Sequence, residues 1–306
     1  MTTAMRLAPA THVPPPLLHA AFLAAFDGYV AGTPDLPYAR WPNAMARQGV
    51  AFPLSRVALD AEGQVLAFAL VAPRTDATRW RLAVMGAVPA ARGLGAAPAL
   101  LDDLIARATA AAQRAVELEC FAQNPRALAL YTGRGFVERH ALRSYAKAPP
   151  HEADGAGAAV REVGTAAALD WLAAAARAID DLPLQVTAPS ISGLEPAGTA
   201  WQLGTAQVVW TAVGADRRVV HSLVDLDPSQ RDAERLARHL CATAGGRTVV
   251  VPPLQREDVG GAALQRAGFE VRPLHQVWML RTLRPPSPQT LGPARATSSK
   301  ASITRS

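Results

Sequence analysis

Apolar residues recur along the chain at two spacings, one typical of strands and one of helices, so the sequence predicts an alanine-rich protein that mixes both. In the first half, alternation and short apolar runs predict strands at 5–8, 56–60, 64–71, 78–88, 115–121, 136–140 and 143–147. Helical spacing predicts helices at 17–26, 37–48, 95–114 and 126–134. An Ala-Glu-Gly turn joins the second and third strands as a hairpin.

The second half repeats this mixture after a stretch with the composition of a linker, residues 149–159 (PPHEADGAGAA). There the sequence predicts helices at 166–180, 228–243 and 258–267, and strands at 201–203, 206–213, 218–225, 248–251 and 275–283. Residues 285–306 have the composition of a disordered tail. The sequence therefore predicts two domains, at 1–148 and 160–284.

Composition narrows the classes of function. Half of the residues are hydrophobic and 18% are charged, which suits a protein with a sizeable core, and no apolar run is long enough to predict a membrane span. The net charge is +6, but residues 284–306 carry four positive charges and no acid, so the rest of the chain is close to neutral. That balance disfavours a nucleic-acid-binding face. Cys120 and Cys241 form no metal or redox motif and no secretory signal is apparent, so we expect a cytoplasmic protein.

Residues 85–101 (MGAVPAARGLGAAPALL) join the end of a strand to the start of a helix. Gly93 and Gly95 let the backbone approach a ligand, the first amides of the helix are partly positive, and Arg92 adds a full charge, so the turn suits a phosphate. The turn lacks Gly-Lys-Ser/Thr, and Pro98 replaces the third glycine of a dinucleotide fingerprint. Pro98 also requires that the helix begin near Gly95. The alternative interpretation is a connection that uses small residues only for close packing.

A second segment, residues 124–136 (NPRALALYTGRGF), follows the fifth predicted strand. It fits Asn-x-x-Ala-x-x-Leu-Tyr-x-x-x-Gly-Phe at every fixed position, while Arg92, Gly95 and Ala97 fit Arg/Gln-x-x-Gly-x-Gly/Ala. With these two patterns in this order, residues 5–147 resemble the GNAT superfamily of N-acetyltransferases. The resemblance implies an α/β (α+β) fold class, with a mixed, mostly antiparallel central sheet flanked by helices and with strands 4 and 5 splayed apart.

The resemblance also implies that this domain binds acetyl-CoA as the acyl donor. The pyrophosphate would lie on the backbone amides of residues 92–97, and the pantetheine arm would pair with the strand edge at 85–88, where a bulge separates the two strands. Asn124 would hydrogen-bond the pantetheine arm. The implied cofactor-binding residues are Met85, Gly86, Ala87, Val88, Arg92, Gly93, Leu94, Gly95, Ala96, Ala97, Asn124, Arg126 and Tyr131.

The implied catalytic residues are Tyr131 and Glu119. Tyr131 matches the family tyrosine that protonates the departing thiolate, with plain packing as the alternative. The strand at 78–88 has no acid to accept the proton of the amine, so the nearest carboxylates are Glu117 and Glu119 on the next strand. Glu119 lies beside the expected splay and is the candidate base. The alternatives are a relay of waters and a merely ion-paired glutamate. We expect Cys120, on the opposite face, to be a core residue.

The second half ends in a segment, residues 262–269 (AALQRAGF), that aligns with the end of residues 124–136 at an offset of 133, with Leu264 in place of Tyr131. Upstream, an offset of 139 replaces Gly93 by Asp232, Gly95 by Glu234 and Ala97 by Leu236. Acids at a helix start would repel a pyrophosphate. The second half is therefore predicted to be a degenerate GNAT-like domain that covers the first or closes its acceptor groove. Chance similarity is the alternative.

The predicted activity is direct transfer of an acetyl group from acetyl-CoA to a primary amine in a ternary complex, without a metal. A non-catalytic acyl-CoA-binding or regulatory module is the alternative. Tyr29, Tyr38 and Trp41 are candidates for the acceptor groove, with packing as the other explanation. We expect the acceptor to be a small-molecule or peptide amine, and a small amine, an antibiotic, an amino acid and a peptide N-terminus all fit the sequence. We expect no nucleic-acid or membrane partner, and a monomer or homodimer.

Overall fold

A sheet of twelve strands runs through the part of the chain that the computed structural model describes, residues 5–148 and 160–283. The predicted linker and tail, 149–159 and 285–306, lie outside those residues. The strands are β1 (Arg6–Pro9), β2 (Arg56–Leu59), β3 (Val65–Arg74), β4 (Arg79–Ala87), β5 (Ala115–Phe121), β6 (Val137–Lys147), β7 (Arg161–Val163), β8 (Thr199–Leu203), β9 (Ala206–Val213), β10 (Arg217–Asp225), β11 (Thr248–Arg256) and β12 (Glu270–Thr282). The α-helices are α1 (Pro15–Ala25), α2 (Trp41–Arg47), α3 (Ala96–Ala110), α4 (Pro125–Thr132), α5 (Thr165–Ala178), α6 (Ala188–Ile191), α7 (Arg231–Ala242) and α8 (Gly261–Arg266).

The order of strands across the sheet is β1-β2-β3-β4-β5-β12-β6-β11-β10-β9-β8-β7. Within the described residues, neighbours run antiparallel except at β4–β5 and β10–β11, so the sheet is mixed and mostly antiparallel, as predicted. The two halves of the chain, 5–148 and 160–283, exchange their last strands. β12 lies between β5 and β6, and β6 lies between β12 and β11. The last strand of each half therefore borders the strands of the other.

The exchange also mixes the hydrophobic cores. Leu100 and Leu104 of α3 pack against the sheet in a cluster that includes Val277 and Met279 of β12, while α1 and α2 cover the opposite face. In the second half, α7 packs in a cluster that includes Tyr145 of β6. Burial of one large apolar side chain contributes about 1.5–3 kcal/mol, so each half depends on side chains supplied by the other.

A buried charge network joins the halves beside β5. The fully buried carboxylate of Glu117 accepts hydrogen bonds from Arg74 at 2.8 Å and Arg79 at 3.5 Å. Arg79 also pairs with Asp181 of the second half at 2.6 Å, and Arg74 donates to the Leu182 carbonyl oxygen at 3.1 Å. Removing one partner of a buried pair leaves an uncompensated charge, so this network makes Glu117 a structural residue.

Several element bounds differ from the predicted ones for local reasons. The helix predicted to reach 114 ends at Ala110, because Ala112 takes a φ of 51°, which a right-handed helix cannot contain. β11 continues past Pro252 and Pro253, with a register shift that accommodates the missing N–H groups. The two strands predicted at 136–147 are one strand, β6, and the three-residue β7 is too short for alternation to predict. None of the described helices has the length and apolarity needed to cross a bilayer.

Candidate functional site

The site begins where β4 and β5 separate. The two strands pair in parallel only as far as Leu82 and Leu118. Across β4, the pairing with β3 shifts register between Leu82 and Val84, which leaves Ala83 as an extra residue, the mark of a β-bulge. Beyond this point the last residues of β4 and β5 diverge, and the predicted splay is present.

The loop after β4 has the conformation that its glycines predict. Gly93 and Gly95 both have a φ of +85°, in the left-handed region. A Cβ atom on either would meet nothing within 4 Å, so the backbone angle rather than lack of space requires glycine. Gly95 is the N-cap residue and α3 begins at Ala96, which places Pro98 in the first turn, where its missing N–H costs little.

A cleft of about 530 Å³, called the first cleft here, lies between this loop, the end of α1 and the start of α4. Eleven of the predicted cofactor-binding residues line it: Met85, Gly86, Ala87, Arg92, Gly93, Gly95, Ala96, Ala97, Asn124, Arg126 and Tyr131. Val88 and Leu94 do not. Val88 donates its N–H to the Leu66 carbonyl oxygen and packs against the α1 side of the core, while the Leu94 side chain is 57% exposed.

Arg92 and Asn124 are held at the first cleft by contacts within the fold. Arg92 Nη2 donates to the Ala25 carbonyl oxygen at the end of α1, at 3.1 Å. Asn124 caps α4, because its Oδ1 accepts the N–H of Ala127 at 3.1 Å, and its Nδ2 reaches the Tyr29 hydroxyl at 3.5 Å. Asn124 thus combines a structural role with a polar group at the cleft.

Tyr131 lies on the wall of the first cleft with only 7% of its surface exposed. Burial raises the pKa of its phenol, so the side chain stays protonated and can donate a proton or a hydrogen bond. Its ring meets Phe136 edge-on at 5.9 Å. Burial also raises the pKa of Cys120 to about 12, so that sulfur remains a thiol within the core.

A second cleft, of about 510 Å³, adjoins the first, and Phe26 and Tyr29 line both. Glu119, the predicted base, lies here and not in the first cleft. Arg81 pairs with the Glu119 carboxylate at 2.7 Å and donates to both of its oxygens, with at most 3% of either side chain exposed. Arg81 also donates to the carbonyl and side-chain oxygens of Gln48, which anchors the pair to the end of α2.

The predicted groove residues have three different fates. Tyr29 lines both clefts, Trp41 is 1% exposed in the core, and Tyr38 is 42% exposed and outside both clefts. No local pattern predicts the other wall of the second cleft, since residues far along the chain form it: Gln185, Pro252, Pro253, Leu254 and Gln276. Arg81 had a signal, because Arg79 and Arg81 alternate on β4 as Glu117 and Glu119 do on β5.

The corresponding connection in the second half, from β10 to α7, is built differently. It has five residues, 226–230, where the first half has eight, 88–95. Gln230 is the N-cap residue of α7, with a φ of 54°, and Gly95 is the N-cap residue of α3. Aligning the two helix starts therefore pairs Gln230 with Gly95, at an offset of 135 in place of the 139 inferred from the sequence. The carboxylate of Asp225 accepts the Ala233 N–H at 2.9 Å, so a side chain of the protein already occupies one of the amides at the start of α7. Glu234 lies further on and pairs with arginines.

The model of the Acetyltransferase (GNAT) family matches residues 19–136, which include β2 to β5, the loop before α3 and the whole of α4. No curated protein matches the chain.

Solved structures share the fold over most of the chain. A GCN5-related N-acetyltransferase from Sphaerobacter thermophilus is 14% identical, with a TM-score of 0.62 over 93% of this chain and 96% of that one. A second one, from Kribbella flavida, is 20% identical, with a TM-score of 0.55 over 92% and 71%. A putative acetyltransferase from Pyrococcus horikoshii is 13% identical, with a TM-score of 0.59 over 93% and 90%. The likeness in fold extends over both halves.

Proposed function

We propose that the GNAT acetyltransferase domain at residues 19–136 transfers an acetyl group from acetyl-CoA to a primary amine. One observation carries this proposal: two segments that are separate in sequence, 92–97 and 124–131, line one cleft at the point where β4 and β5 diverge. The first supplies amides for a phosphate, and the second supplies a buried phenol near the open strand edge. A phosphate at one end and a proton donor at the other suit a coenzyme A thioester.

The residues of the first cleft fit the parts of acetyl-CoA. The amides of Gly93, Gly95, Ala96 and Ala97 lie at or just before the start of the 15-residue helix α3 and would receive the pyrophosphate, with Arg92 and Arg126 as nearby cations. The amides of Arg92 and Leu94 already donate to the Pro89 and Ala91 carbonyl oxygens. The edge of β4 at 85–87 would pair with the amides of the pantetheine arm, as an added strand does. The Asn124 Nδ2 group is a further donor on this path.

Transfer requires two proton movements, and the chain offers a group for each. The amine nitrogen bonds to the acetyl carbon as the bond from that carbon to sulfur breaks. Glu119 would take the proton of the amine, directly or through a water, and Tyr131 would give a proton to the leaving thiolate. Glu119 lines the second cleft and Tyr131 the first, so a thioester placed where the clefts meet would have the two groups on opposite sides of its carbonyl carbon. No step of this proposal needs a metal.

The second half would be a degenerate GNAT-like domain that closes the acceptor groove. In support, its connection before α7 is three residues shorter and Asp225 fills the helix start. Leu264, fully buried and without a hydroxyl, stands where Tyr131 stands in the first half. Residues 252–254 nevertheless line the second cleft, so this half would serve the reaction as a wall.

The second candidate function is an acyl-CoA-binding or regulatory module without turnover. It is favoured by one observation, that both Glu119 oxygens already accept hydrogen bonds from Arg81. Release of free thiol from acetyl-CoA, measured over a panel of primary amines, separates the two candidates. Turnover supports the transferase. Tight acetyl-CoA binding by calorimetry with no thiol release for any amine would establish the binding module instead.

A further inference from the structure

The second cleft has the composition of a site for an apolar amine. Aromatic and aliphatic side chains from both halves line it: Phe22, Phe26, Leu36, Met45, Pro252 and Leu254. Its volume of about 510 Å³ lies in the range of small-molecule sites. Polar side chains also line it, and two of them, Arg81 and Glu119, are paired with each other.

The position of this cleft makes it the approach for the acceptor. Phe26 and Tyr29 separate it from the first cleft, and β4 passes from one to the other, with Val84 in the second and Met85 in the first. The phosphate-binding loop at 92–97 belongs to the first cleft alone. A thioester that enters there would therefore present its carbonyl carbon to a nucleophile from the second cleft.

Its charges leave no site for a second ionic group. Among the described lining residues, Arg81 and Glu119 are the charged side chains, and they neutralise each other in a buried pair. An amino-acid carboxylate would need a free cation, and a polyamine would need several free carboxylates. Tyr29 is uncharged, since burial raises the pKa of its phenol.

One polar group of the cleft lacks a partner. Gln185 Oε1 is buried and accepts no hydrogen bond within the described residues. It is held in a short turn between the buried side chains of Leu184 and Val186. By contrast, Gln276 Nε2 already donates to the Pro253 carbonyl oxygen at 3.1 Å. A buried oxygen without a donor is costly, so Gln185 is a ready acceptor for an N–H of the ligand.

We infer that the acceptor is a primary amine on an uncharged apolar body, of the arylalkylamine or alkylamine class, with Gln185 of the second half as a specificity-determining contact. This inference rests on the proposed acetyl transfer. The apolar walls bind the body, and the single amino group, which carries the ligand's N–H donors, would lie between the Gln185 side-chain oxygen and Glu119, both of which line the cleft. The second half thus selects the substrate of the first.

Three probes that differ in charge test this inference: 2-phenylethylamine, phenylalanine and spermidine. Phenylalanine has the same ring as 2-phenylethylamine plus a carboxylate, and spermidine has extra ammonium groups. In the thiol-release assay we expect kcat/KM for 2-phenylethylamine to exceed that for either other probe at least tenfold, on the order of 1.4 kcal/mol. A higher kcat/KM for phenylalanine or spermidine would overturn the inference.

A matched pair of variants tests the role of Gln185. We expect Gln185→Leu to raise KM for 2-phenylethylamine about fivefold or more and to leave acetyl-CoA affinity unchanged. The surface substitution Gln113→Leu, away from both clefts, changes neither value. Equal KM values for the two variants would remove Gln185 from the proposal.

Calorimetry with coenzyme A present keeps this test separate from the proposed function. If 2-phenylethylamine binds and phenylalanine and spermidine do not, but no thiol is released, the acceptor class stands and acetyl transfer fails. If none of the three binds and none is turned over, the acceptor class itself is wrong.

Discussion

The backbone angle of Gly95 decides whether the loop before α3 leaves its amides open. We expect Gly95→Glu to abolish acetyl-CoA binding, because the new carboxylate lies at the helix start where the pyrophosphate would bind. The substitution also costs about 1–2 kcal/mol in backbone strain. Isothermal calorimetry with acetyl-CoA measures the affinity, and thermal denaturation measures the strain.

Gly63→Glu is the matched control for this substitution. Gly63 has a φ of +82° and no atom within 4 Å of a Cβ, as Gly95 does, but it lies in the β2–β3 turn away from the clefts. Both variants should lose similar stability, and only Gly95→Glu should lose acetyl-CoA. Glu234→Gly in the second half should leave affinity unchanged. Equal loss of affinity in all three would refute a cofactor site confined to the first half.

Tyr131 is expected to act as an acid rather than only as a packing group. Tyr131→Phe keeps the ring against Phe136 and removes the hydroxyl. We expect kcat to fall about 100-fold with little change in acetyl-CoA affinity, since general acid catalysis contributes that order of rate. Because burial raises the phenol pKa, wild-type activity should show no loss from tyrosine ionisation between pH 6 and 9. An unchanged kcat in the variant would leave Tyr131 with packing alone.

The features that the sequence predicted correctly are those that depend on local conformation. A glycine with a left-handed backbone angle and an Asn-Pro pair at a helix start can each be recognised from the few residues around them. For the Arg81–Glu119 pair the sequence shows only that arginines alternate on one strand and glutamates on the next, and which arginine pairs with which glutamate depends on the register of two parallel strands. Gln185 is harder still to predict, since its place in the second cleft, and so its proposed role, depends on how the second half packs on the first.

At the scale of elements, α4 shows how one residue can be tested for two roles. Asn124→Ala removes both the cap and the amide donor, whereas Asn124→Ser keeps a capping oxygen and loses the donor. We expect the alanine variant to lose about 1 kcal/mol of unfolding free energy and the serine variant much less. Both should bind acetyl-CoA more weakly, as calorimetry would measure. Full affinity in the serine variant would restrict Asn124 to capping.

Element bounds were predictable wherever apolar spacing and end signals agree. β5 has the predicted bounds, and α3 starts where Pro98 requires. Two strands were predicted too short because of prolines inside them: β11 runs through Pro252 and Pro253, and β12 begins before Pro273. Proline has no N–H to donate to the neighbouring strand, so the sequence pattern predicts that a strand ends at a proline. In the structure both strands continue past their prolines, with a register shift against the neighbouring strand.

At the scale of the whole molecule, the exchange of β6 and β12 could not be predicted. Their alternation would be the same whether each strand joined its own half or the other. The choice depends on long-range contacts, including the Val277 and Met279 side chains in the core of the first half. The predicted domain boundary, at 149–159, therefore marks a change in composition while the sheet itself continues across the two halves.

The exchange makes a fragment of the first half incomplete. Residues 1–148 alone would lack β12 and expose the edge of β5, so we expect this fragment to self-associate or aggregate. Co-expression with residues 160–306 should restore a soluble one-to-one complex that binds acetyl-CoA. Size-exclusion chromatography with light scattering gives the masses. A stable monomer of 1–148 with full acetyl-CoA affinity would show that the exchanged strand is dispensable.

The stability of the whole chain should decline in mild acid because His221 is folded in its neutral form. Burial lowers its pKa to about 4 from 6.5, with a smaller effect from Arg47, and its ring pairs with Thr211 at 2.8 Å. Between these values the unfolded chain binds a proton that the folded chain does not, so the free energy of unfolding falls as pH decreases through that window. The loss from this one group is about 3 kcal/mol at most, measurable by urea denaturation from pH 7 to 4.

His140 and His239 shift in the same direction, so His221→Asn should flatten the pH dependence only in part. An identical pH profile in that variant would place the acid sensitivity elsewhere in the fold.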